Sequence, residues 1–263
     1  MDGLLEVRGL SREFGGIRAV DDLSFSVAPG SITGIIGPNG AGKTTVFNLV
    51  TGVYRPTAGE IRLGDTVLSG RRPDEVVRAG VARTFQNIRL FNRLSCLDNV
   101  RVPLLQRETY GVFSSLLRLP GVRARHRGVD ARAEELLDLV GLSEHRDRGA
   151  SNLPYGLQRK LEIARALAME PRLLLLDEPA AGMNGEESRQ LSGLVRELHR
   201  RFGLTILLIE HHMDVVMGLC DRILVLHFGA CLAWGTPEEV RSNEQVLRAY
   251  LGKEGRPCSP CGA

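Results

Sequence analysis

The sequence has little of what marks membrane-spanning, secreted or nucleic-acid-binding chains. None of its apolar runs approaches the ~18 residues of a membrane-spanning helix, and its first residues lack the basic, apolar and small-residue regions of a signal peptide. Its 34 lysines and arginines against 31 acidic residues leave a net charge of +3, which is too small to favour nucleic acid as a partner. We therefore expect a chain that is itself soluble and that reaches a membrane only through a partner.

Cysteine is also scarce, and its number is odd. Five cysteines in 263 residues argue against a disulfide framework. Cys258 and Cys261 have C-x-x-C spacing, but they lie in a glycine- and proline-rich tail with no second pair and no nearby histidine. We expect neither a metal nor a redox role for them. The tail, residues 252–263, is expected to be poorly ordered.

Lysine is the rarest charged residue, and one of only three lysines stands in a glycine-rich run. The run Gly37–Thr45 has two glycines, a lysine and a hydroxyl residue at the spacing of a phosphate-binding loop. The residues around it predict a buried strand over 31–36 and a helix over 45–50, so backbone N–H groups and a helix N-terminus would face anionic oxygens. Lys43 would then reach the β- and γ-phosphates, and the Thr44 hydroxyl would coordinate Mg²⁺. The loop alone does not separate kinases, GTPases and motor ATPases.

A second apolar run, Leu173–Leu176, ends in two acidic residues. A continuous apolar run is typical of a strand buried on both faces. Asp177 and Glu178 would lie at its carboxyl end, where parallel α/β sheets bind ligands. One carboxylate can bind the coordination shell of a metal ion while the next takes a proton from attacking water. The sequence therefore predicts a nucleotide-hydrolysing site.

The order of the motifs carries a resemblance to a known family. A segment just upstream of the acidic strand, Leu153–Leu157, precedes residues 158–167, which have apolar positions at helical spacing. The chain resembles, over nearly its full length, the nucleotide-binding subunits of ATP-binding-cassette (ABC) transporters. Leu153–Leu157 departs from the usual Leu-Ser-Gly-Gly-Gln signature, because Pro154 replaces the serine and Leu157 the glutamine. The motifs are, in order, Phe14, the phosphate loop, Gln86, Leu153–Leu157, Asp177–Glu178 and His211.

The resemblance implies a catalytic and a metal-binding set. Glu178 would be the general base, and His211 would contact the γ-phosphate. Gln86 would contact metal and water and sense the membrane partner. Asp177 would support Mg²⁺ together with Thr44 and Gln86.

The resemblance also implies the nucleotide contacts. Phe14 would stack on adenine, and Gly156, in the signature turn, would contact the γ-phosphate held by the opposite subunit. The segment Ala181–Asn184 takes the place of the loop that crosses the dimer interface. The residues implied to bind ATP are Phe14, Gly37, Pro38, Asn39, Gly40, Ala41, Gly42, Lys43, Thr44, Thr45 and Gly156.

Several runs resemble one subfamily more closely, the ATPases of branched-chain amino-acid importers. They are Arg83–Gln86, Arg89–Phe91, Asn152–Gly156, Asp177–Asn184, Ile209–His211 and residues 106 to about 132, including Gly111–Leu117. ATPases of urea and amide importers share most of these features, and those of lipid or lipopolysaccharide exporters have nearly the same cassette. A non-transport ABC ATPase is a further alternative. The resemblance favours an ATPase that powers the import of branched-chain amino acids.

The implied fold is α/β, a P-loop NTPase core of ABC type with an N-terminal antiparallel β subdomain and an inserted α-helical subdomain. One ABC ATPase domain would cover residues 1–251, with the helical insertion at about 87–155. Residue patterns further predict strands at 59–63 and 221–226, a hairpin over 227–235, helices over 131–140 and 185–201, and helix caps at Ser95 and Thr236.

The resemblance also implies partners. A second ABC ATPase subunit, identical or different, would sandwich two ATP molecules with this one. Closure of this dimer would be transmitted to transmembrane permease subunits, and a periplasmic or lipid-anchored protein would deliver the substrate. No nucleic acid is expected. The chain would then lie at the cytoplasmic face of the inner or cell membrane, held peripherally by the permeases.

Overall fold

The computed structural model describes residues 3–107 and 120–250, which fall into two compact units. The first unit joins Met1–Arg83 to Arg172–Ala263, and the second is the intervening Thr84–Pro171. The helical insertion expected at about 87–155 is thus part of a longer unit that also takes in the helix after residue 154. The segment Gly111–Leu117 and the tail at 252–263 lie outside the described residues.

The first unit contains two sheets. Its strands are β1 (Leu5–Phe14), β2 (Ile17–Val27), β3 (Ile32–Ile36), β4 (Ala58–Leu63), β5 (Thr66–Val67), β6 (Val81–Arg83), β7 (Leu173–Asp177), β8 (Thr205–Ile209), β9 (Arg222–His227) and β10 (Ala230–Gly235). The order β2-β1-β4-β5 makes an antiparallel sheet. In β2, Leu23, Phe25 and Val27 are buried while the serines between them are partly exposed, as their alternation predicts. The antiparallel N-terminal subdomain is confirmed.

The second sheet has the order β10-β9-β3-β8-β7-β6. Its paired strands are parallel except for β9 and β10, which form the predicted hairpin around Gly229. Every residue of β3, β7 and β8 is buried, which explains their continuous apolar runs. Parallel strands end at one edge of a sheet, so the phosphate loop after β3, the acids at the end of β7 and the histidines after β8 share that edge.

Helix α1 (Lys43–Val50) begins two residues before the predicted helix and anchors the phosphate loop in the core. Val46, Phe47 and Val50 are buried in one hydrophobic cluster with residues of both sheets, among them Leu10 and Leu207. Burial of an aromatic or branched side chain stabilises by about 1.5–3 kcal/mol. The apolar face of α1 therefore fixes the position of the loop that precedes it.

The described part of the first unit has five further helices, of which the sequence predicted the one at 185–201 and the one after Thr236. They are α2 (Pro73–Arg78), α6 (Gly185–Phe202), α7 (Met213–Leu219), α8 (Pro237–Ser242) and α9 (Glu244–Tyr250). Thr236 caps α8, as predicted, because its side chain accepts a hydrogen bond from the backbone N–H of Glu239. Asn184 caps α6 by accepting from the N–H groups of Glu186 and Glu187.

The second unit is helical. Its α-helices are α3 (Cys96–Arg107), α4 (Pro120–Leu139) and α5 (Tyr155–Leu167), with short 3₁₀ turns at Ser143–His145 and Ala150–Asn152. Ser95 lies just before α3 and accepts from the N–H of Asp98 at 3.0 Å, as expected of a cap. The segment at 131–140 is the C-terminal part of α4. Within the described residues, none of the helices is long and apolar enough to cross a membrane.

Candidate functional site

Three glycines shape the phosphate loop, residues 37–45. Gly37, Gly40 and Gly42 have φ angles of 149°, 80° and 100°, a region that side chains disfavour. At two of them a side chain would also clash with the backbone. A Cβ on Gly37 would lie 2.1 Å from the Leu226 carbonyl oxygen, and a Cβ on Gly42 would lie 2.3 Å from the Ala19 carbonyl oxygen. These glycines are required for the curled backbone of a phosphate-binding turn.

Lys43 lies over this loop and is held by it. Its Nζ donates to the carbonyl oxygens of Gly37 at 2.7 Å and Pro38 at 2.9 Å. Burial lowers the pKa of Lys43, and the negative charge of Glu178 partly opposes that shift. A buried ammonium whose hydrogen bonds go to neutral carbonyls is poorly compensated, so an anionic phosphate would improve its environment.

Helix α1 presents its N-terminus to the same loop. Gly42 occupies its N-cap position without a side-chain hydrogen bond to the first turn. Thr44 is exposed in that turn and Thr45 is partly buried. Asn39 and Gly40 at the tip of the loop are exposed, whereas Ala41 is buried and its carbonyl accepts from the N–H of Gly229 at 3.0 Å. Backbone donors and the helix dipole thus favour an anion here.

Asp177 ends β7 in a buried ion pair with Arg83 of the neighbouring strand. The Arg83 Nη2 donates to Asp177 Oδ2 at 2.6 Å, and both side chains are less than a tenth exposed. The other end of the guanidinium, Nη1, donates to Asn48 Oδ1 on α1 at 2.7 Å. Arg83 therefore connects the predicted metal-binding carboxylate to the helix that follows the phosphate loop. The sequence motif contained Arg83, but its function in the site was not predicted.

Glu178 and His211 meet at the edge of the parallel sheet. Their side chains lie 2.9 Å apart, between Oε1 of Glu178 and Nε2 of His211. The backbone of Glu178 has a φ of 46°, which is rare for a residue other than glycine. Its N–H donates to the carbonyl of Ile209 at 2.9 Å, so the turn after β7 is tied to the end of β8. The structure thus brings together the residue expected to be the general base and the histidine expected to contact the γ-phosphate.

Phe14 is exposed at the end of β1 rather than buried in the core. It is 37% exposed, and the Arg12 guanidinium lies 4.4 Å from its ring centre. The ring of Tyr54 supports it edge-on, with centroids 5.1 Å apart. An exposed aromatic ring braced by an aromatic neighbour is suited to stacking on a base.

Gln86 lies in the second compact unit, exposed in the loop after β6. Within that unit, Arg159 of α5 holds the loop's backbone: its Nη2 donates to the Gln86 carbonyl at 2.8 Å and its Nη1 to the Phe85 carbonyl at 2.6 Å. Glu162, one turn later, pairs with Arg159 at 2.7 Å and accepts from the N–H of Phe85 at 3.2 Å. Burial raises the pKa of Glu162, with the charge of Arg159 opposing. Arg159 and Glu162, both fully buried, form what we call the α5 clamp.

Gly156 lies in the first turn of α5, in the signature segment. Pro154 occupies the N-cap position without a side-chain hydrogen bond, and its carbonyl accepts from the N–H groups of Leu157 and Gln158, both at 3.0 Å. The helix N-terminus expected behind the altered signature is therefore present.

Comparison with known proteins identifies the family. Residues 20–181 match the family model described as ABC transporter. The chain belongs to the ABC transporter family. It thus carries that family's nucleotide-binding ATPase domain, and a second model, for the branched-chain amino acid ATP-binding cassette transporter, matches residues 232–256.

Curated relatives of this ABC ATPase match along nearly the whole chain. The branched-chain amino acid transport ATP-binding protein LivG of Escherichia coli K12 is 49% identical over 95% of this chain and 98% of its own. The corresponding protein BraF of Pseudomonas aeruginosa is 44% identical, with the same coverage. The lipopolysaccharide export ATP-binding protein LptB of Acidithiobacillus ferridurans is 35% identical over 97% of this chain and 99% of its own.

Solved structures confirm the fold. The ADP conformation of MJ1267, an ATP-binding cassette of an ABC transporter, has a TM-score of 0.82 at 30% identity and covers 95% of this chain and 98% of that one. The cbiO1 protein of Clostridium perfringens, part of the ABC transporter complex cbiONQ, has a TM-score of 0.80 at 25% identity, covering 97% and 100%. The predicted ABC-type α/β fold is therefore confirmed.

Proposed function

We propose that this ABC ATPase hydrolyses ATP to power an importer of branched-chain amino acids. The observation that carries the assignment of cargo is the match of residues 232–256 to the branched-chain amino acid model, supported by 44–49% identity to LivG and BraF. The similarity to LptB favours a lipopolysaccharide exporter as the second candidate, at the lower identity of 35%.

The phosphate loop would bind the triphosphate. The N–H groups of residues 37–45 and the first turn of α1 would face its oxygens, and Lys43 would exchange its two carbonyl partners for the β- and γ-phosphates. Phe14 would hold adenine by stacking on its exposed ring. These residues position the nucleotide, and phosphoryl transfer depends mostly on positioning and charge neutralisation.

The residues of the site fit Mg²⁺. Thr44 supplies an exposed hydroxyl and Asp177 a carboxylate oriented by Arg83, and both are the oxygen ligands that this ion prefers. Among the described residues, no group of three or more His, Cys, Asp or Glu side chains could hold a metal, which suits an ion held largely by phosphate and water. When bound, Mg²⁺ would neutralise charge on the phosphates. Gln86 as a further ligand stays a prediction.

Glu178 would act as the general base. Its carboxylate would take a proton from the attacking water, and His211, hydrogen-bonded to it at 2.9 Å, would orient the carboxylate and contact the γ-phosphate. Lys43 is close enough for the charge of Glu178 to affect its pKa, which supports a common site for base and phosphate.

The partners follow from the signature segment. Gly156 and the N-terminus of α5 would contact the nucleotide of a second ATPase subunit, so two chains would close head to tail on two ATP molecules. Permease subunits would hold the dimer peripherally at the cytoplasmic face of the membrane, and a substrate-binding protein outside would deliver the amino acid.

The hydrolytic part is tested with purified chain and Mg²⁺-ATP. Removing a general base lowers the rate by about 10²–10⁴. We expect that loss in kcat for Glu178→Gln, with ATP affinity retained. Glu238→Gln, the same change on an exposed residue of α8, serves as the matched control and should keep wild-type turnover. Near-normal turnover by Glu178→Gln would remove it from the role of base.

A further inference from the structure

Glu210 is a buried carboxylate that the proposed mechanism does not use. It directly follows β8 and directly precedes His211, and it is only 1% exposed. A buried carboxylate costs free energy unless hydrogen-bond donors compensate it. Its hydrogen bonds therefore show what it stabilises.

The two oxygens of Glu210 bind two different loops. Oε1 accepts from the N–H of Ala180 at 2.8 Å, in the turn after β7. Oε2 accepts from the N–H of His211 at 2.8 Å and from that of His212 at 3.1 Å, and the Nδ1 of His212 lies 3.0 Å from it. One side chain thus holds the backbone of the loop that carries Glu178 and that of the loop that carries His211.

These loops need such a tie. Strands β7 and β8 are paired up to Asp177 and Ile209, so Glu178 and Glu210 are the first residues beyond the ladder. Glu178 has a φ of 46°, and an unfavourable backbone conformation of this kind persists only where surrounding contacts determine it. The bond from Ala180 to Glu210 lies two residues beyond Glu178 and restrains the same turn.

We propose that Glu210 is a positioning residue that fixes the two loops relative to each other, so that Glu178 and His211 meet at hydrogen-bonding distance. This inference rests on the proposed function, in which Glu178 is the base. Glu210 is buried, and its hydrogen bonds go to the turn after β7 and the loop after β8. We therefore expect it to act on the geometry of base and histidine and not on nucleotide binding.

A glutamine at this position cannot replace the carboxylate. Glu210→Gln keeps the size of the side chain but substitutes an NH₂ group, a donor, for one of two acceptors. That group would face either the Ala180 N–H or the N–H groups of both histidines, so one loop is released. A misplacement of about 1 Å in an active site can cost roughly 10² in rate.

The test measures kcat, KM and nucleotide affinity for Glu210→Gln. We expect kcat to fall by about 10², with KM and the Kd for ATP within about twofold of wild type. In the Glu178→Gln background, Glu210→Gln should lower the residual rate no further, because the residue it positions is already lost. The matched control is Glu239→Gln, which removes an acceptor of a backbone N–H, that of Thr236, far from the site. A general weakening of the fold would instead lower the rate in both backgrounds and reduce ATP affinity, and would overturn the proposal.

Two further measurements separate the possible failures. Glu210→Asp keeps the charge but is one methylene too short to reach both loops, so it should also lower kcat if Glu210→Gln does not fold. A crystal structure of either variant should show the Glu178 Oε1 to His211 Nε2 distance lengthened beyond 3.5 Å or so, outside hydrogen bonding. If Glu178→Gln is inactive but both Glu210 variants turn over normally, the positioning role is wrong. If Glu178→Gln stays active while the variant structure shows the pair separated, the base assignment fails and the positioning role stands.

Discussion

Removing Arg159 from the α5 clamp should destabilise the second compact unit strongly. Arg159 is completely buried and its guanidinium donates to Glu162, to the Phe85 and Gln86 carbonyls and to the Tyr155 hydroxyl. Arg159→Met keeps most of the volume but removes the ion-pair partner of the buried Glu162 carboxylate and leaves it the charge of Arg165. Breaking a buried pair from one side costs about 3–5 kcal/mol.

The measurement is a urea titration followed by circular dichroism, with the change in free energy taken from the midpoint at unchanged slope. The control is Arg146→Met, which breaks an ion pair with Glu134 whose side chains are 50% and 49% exposed. An exposed pair contributes about 0–1 kcal/mol. If urea unfolds the two compact units in separate transitions, the loss should appear in the transition of the second unit. A loss for Arg159→Met no larger than the control's would refute the clamp.

The same clamp predicts a pH dependence. Burial raises the pKa of Glu162, so the folded chain binds the proton more tightly than the unfolded chain does. The free energy of unfolding contributed by this group is therefore highest at low pH and falls as pH rises above the ordinary Glu pKa of about 4.3. We expect the stability difference, wild type minus Glu162→Gln, to fall as pH rises through that window. A flat or rising difference would show that the carboxyl is not desolvated.

Three further changes test individual residues of the ATP site. Lys43→Met should abolish ATP binding measured by calorimetry, because the loop loses its only lysine; retained affinity would contradict its phosphate contact. Phe14→Ala should melt close to wild type without nucleotide and bind ATP more weakly, whereas Phe25→Ala, at a position only 8% exposed, should lose about 3–5 kcal/mol of stability. A much lower melting temperature of nucleotide-free Phe14→Ala would show that Phe14 stabilises the core instead. Pro154→Ser should tighten ATP-dependent dimerisation in the Glu178→Gln background, measured by light scattering. A serine at the N-cap of α5 would also stabilise the fold by about 1 kcal/mol, so the gain in dimerisation free energy should exceed that amount. Unchanged dimerisation would show that backbone donors suffice.

The sequence predicted those parts of the fold that local patterns determine. The strands β3 and β7 are buried along their whole length, so their apolar runs are unambiguous, and the loops that follow carry motifs with fixed spacing. The helix after Thr236 was predicted because the capping residue and Pro237 stand at its start. The predicted strands at 59–63 and 221–226 differ from the observed ones by one residue at one or both ends, where assignments are least certain, but the helix predicted at 131–140 begins much earlier, at Pro120.

The residues that brace the site could not be found this way. Arg159 and Glu162 lie on a helix rich in charged residues, and in sequence they are indistinguishable from a solvated face. Their backbone partners include the Gln86 carbonyl, 73 residues earlier in the chain. Glu210 was part of a motif that resembled the importer ATPases, but only the fold shows that its carboxylate binds two loops. Such contacts depend on tertiary structure and have no periodic signal.

The central claim is that ATP hydrolysis by this chain drives the import of branched-chain amino acids. The most direct measurement is uptake of radiolabelled leucine and, in parallel, of urea by cells that lack the chain and carry either the wild type or Glu178→Gln. We predict that only the wild type restores leucine uptake, that Glu178→Gln does not although it is produced at the same level, and that urea uptake is unaffected throughout. Leucine uptake that is independent of the chain, or restored by Glu178→Gln, would contradict the account.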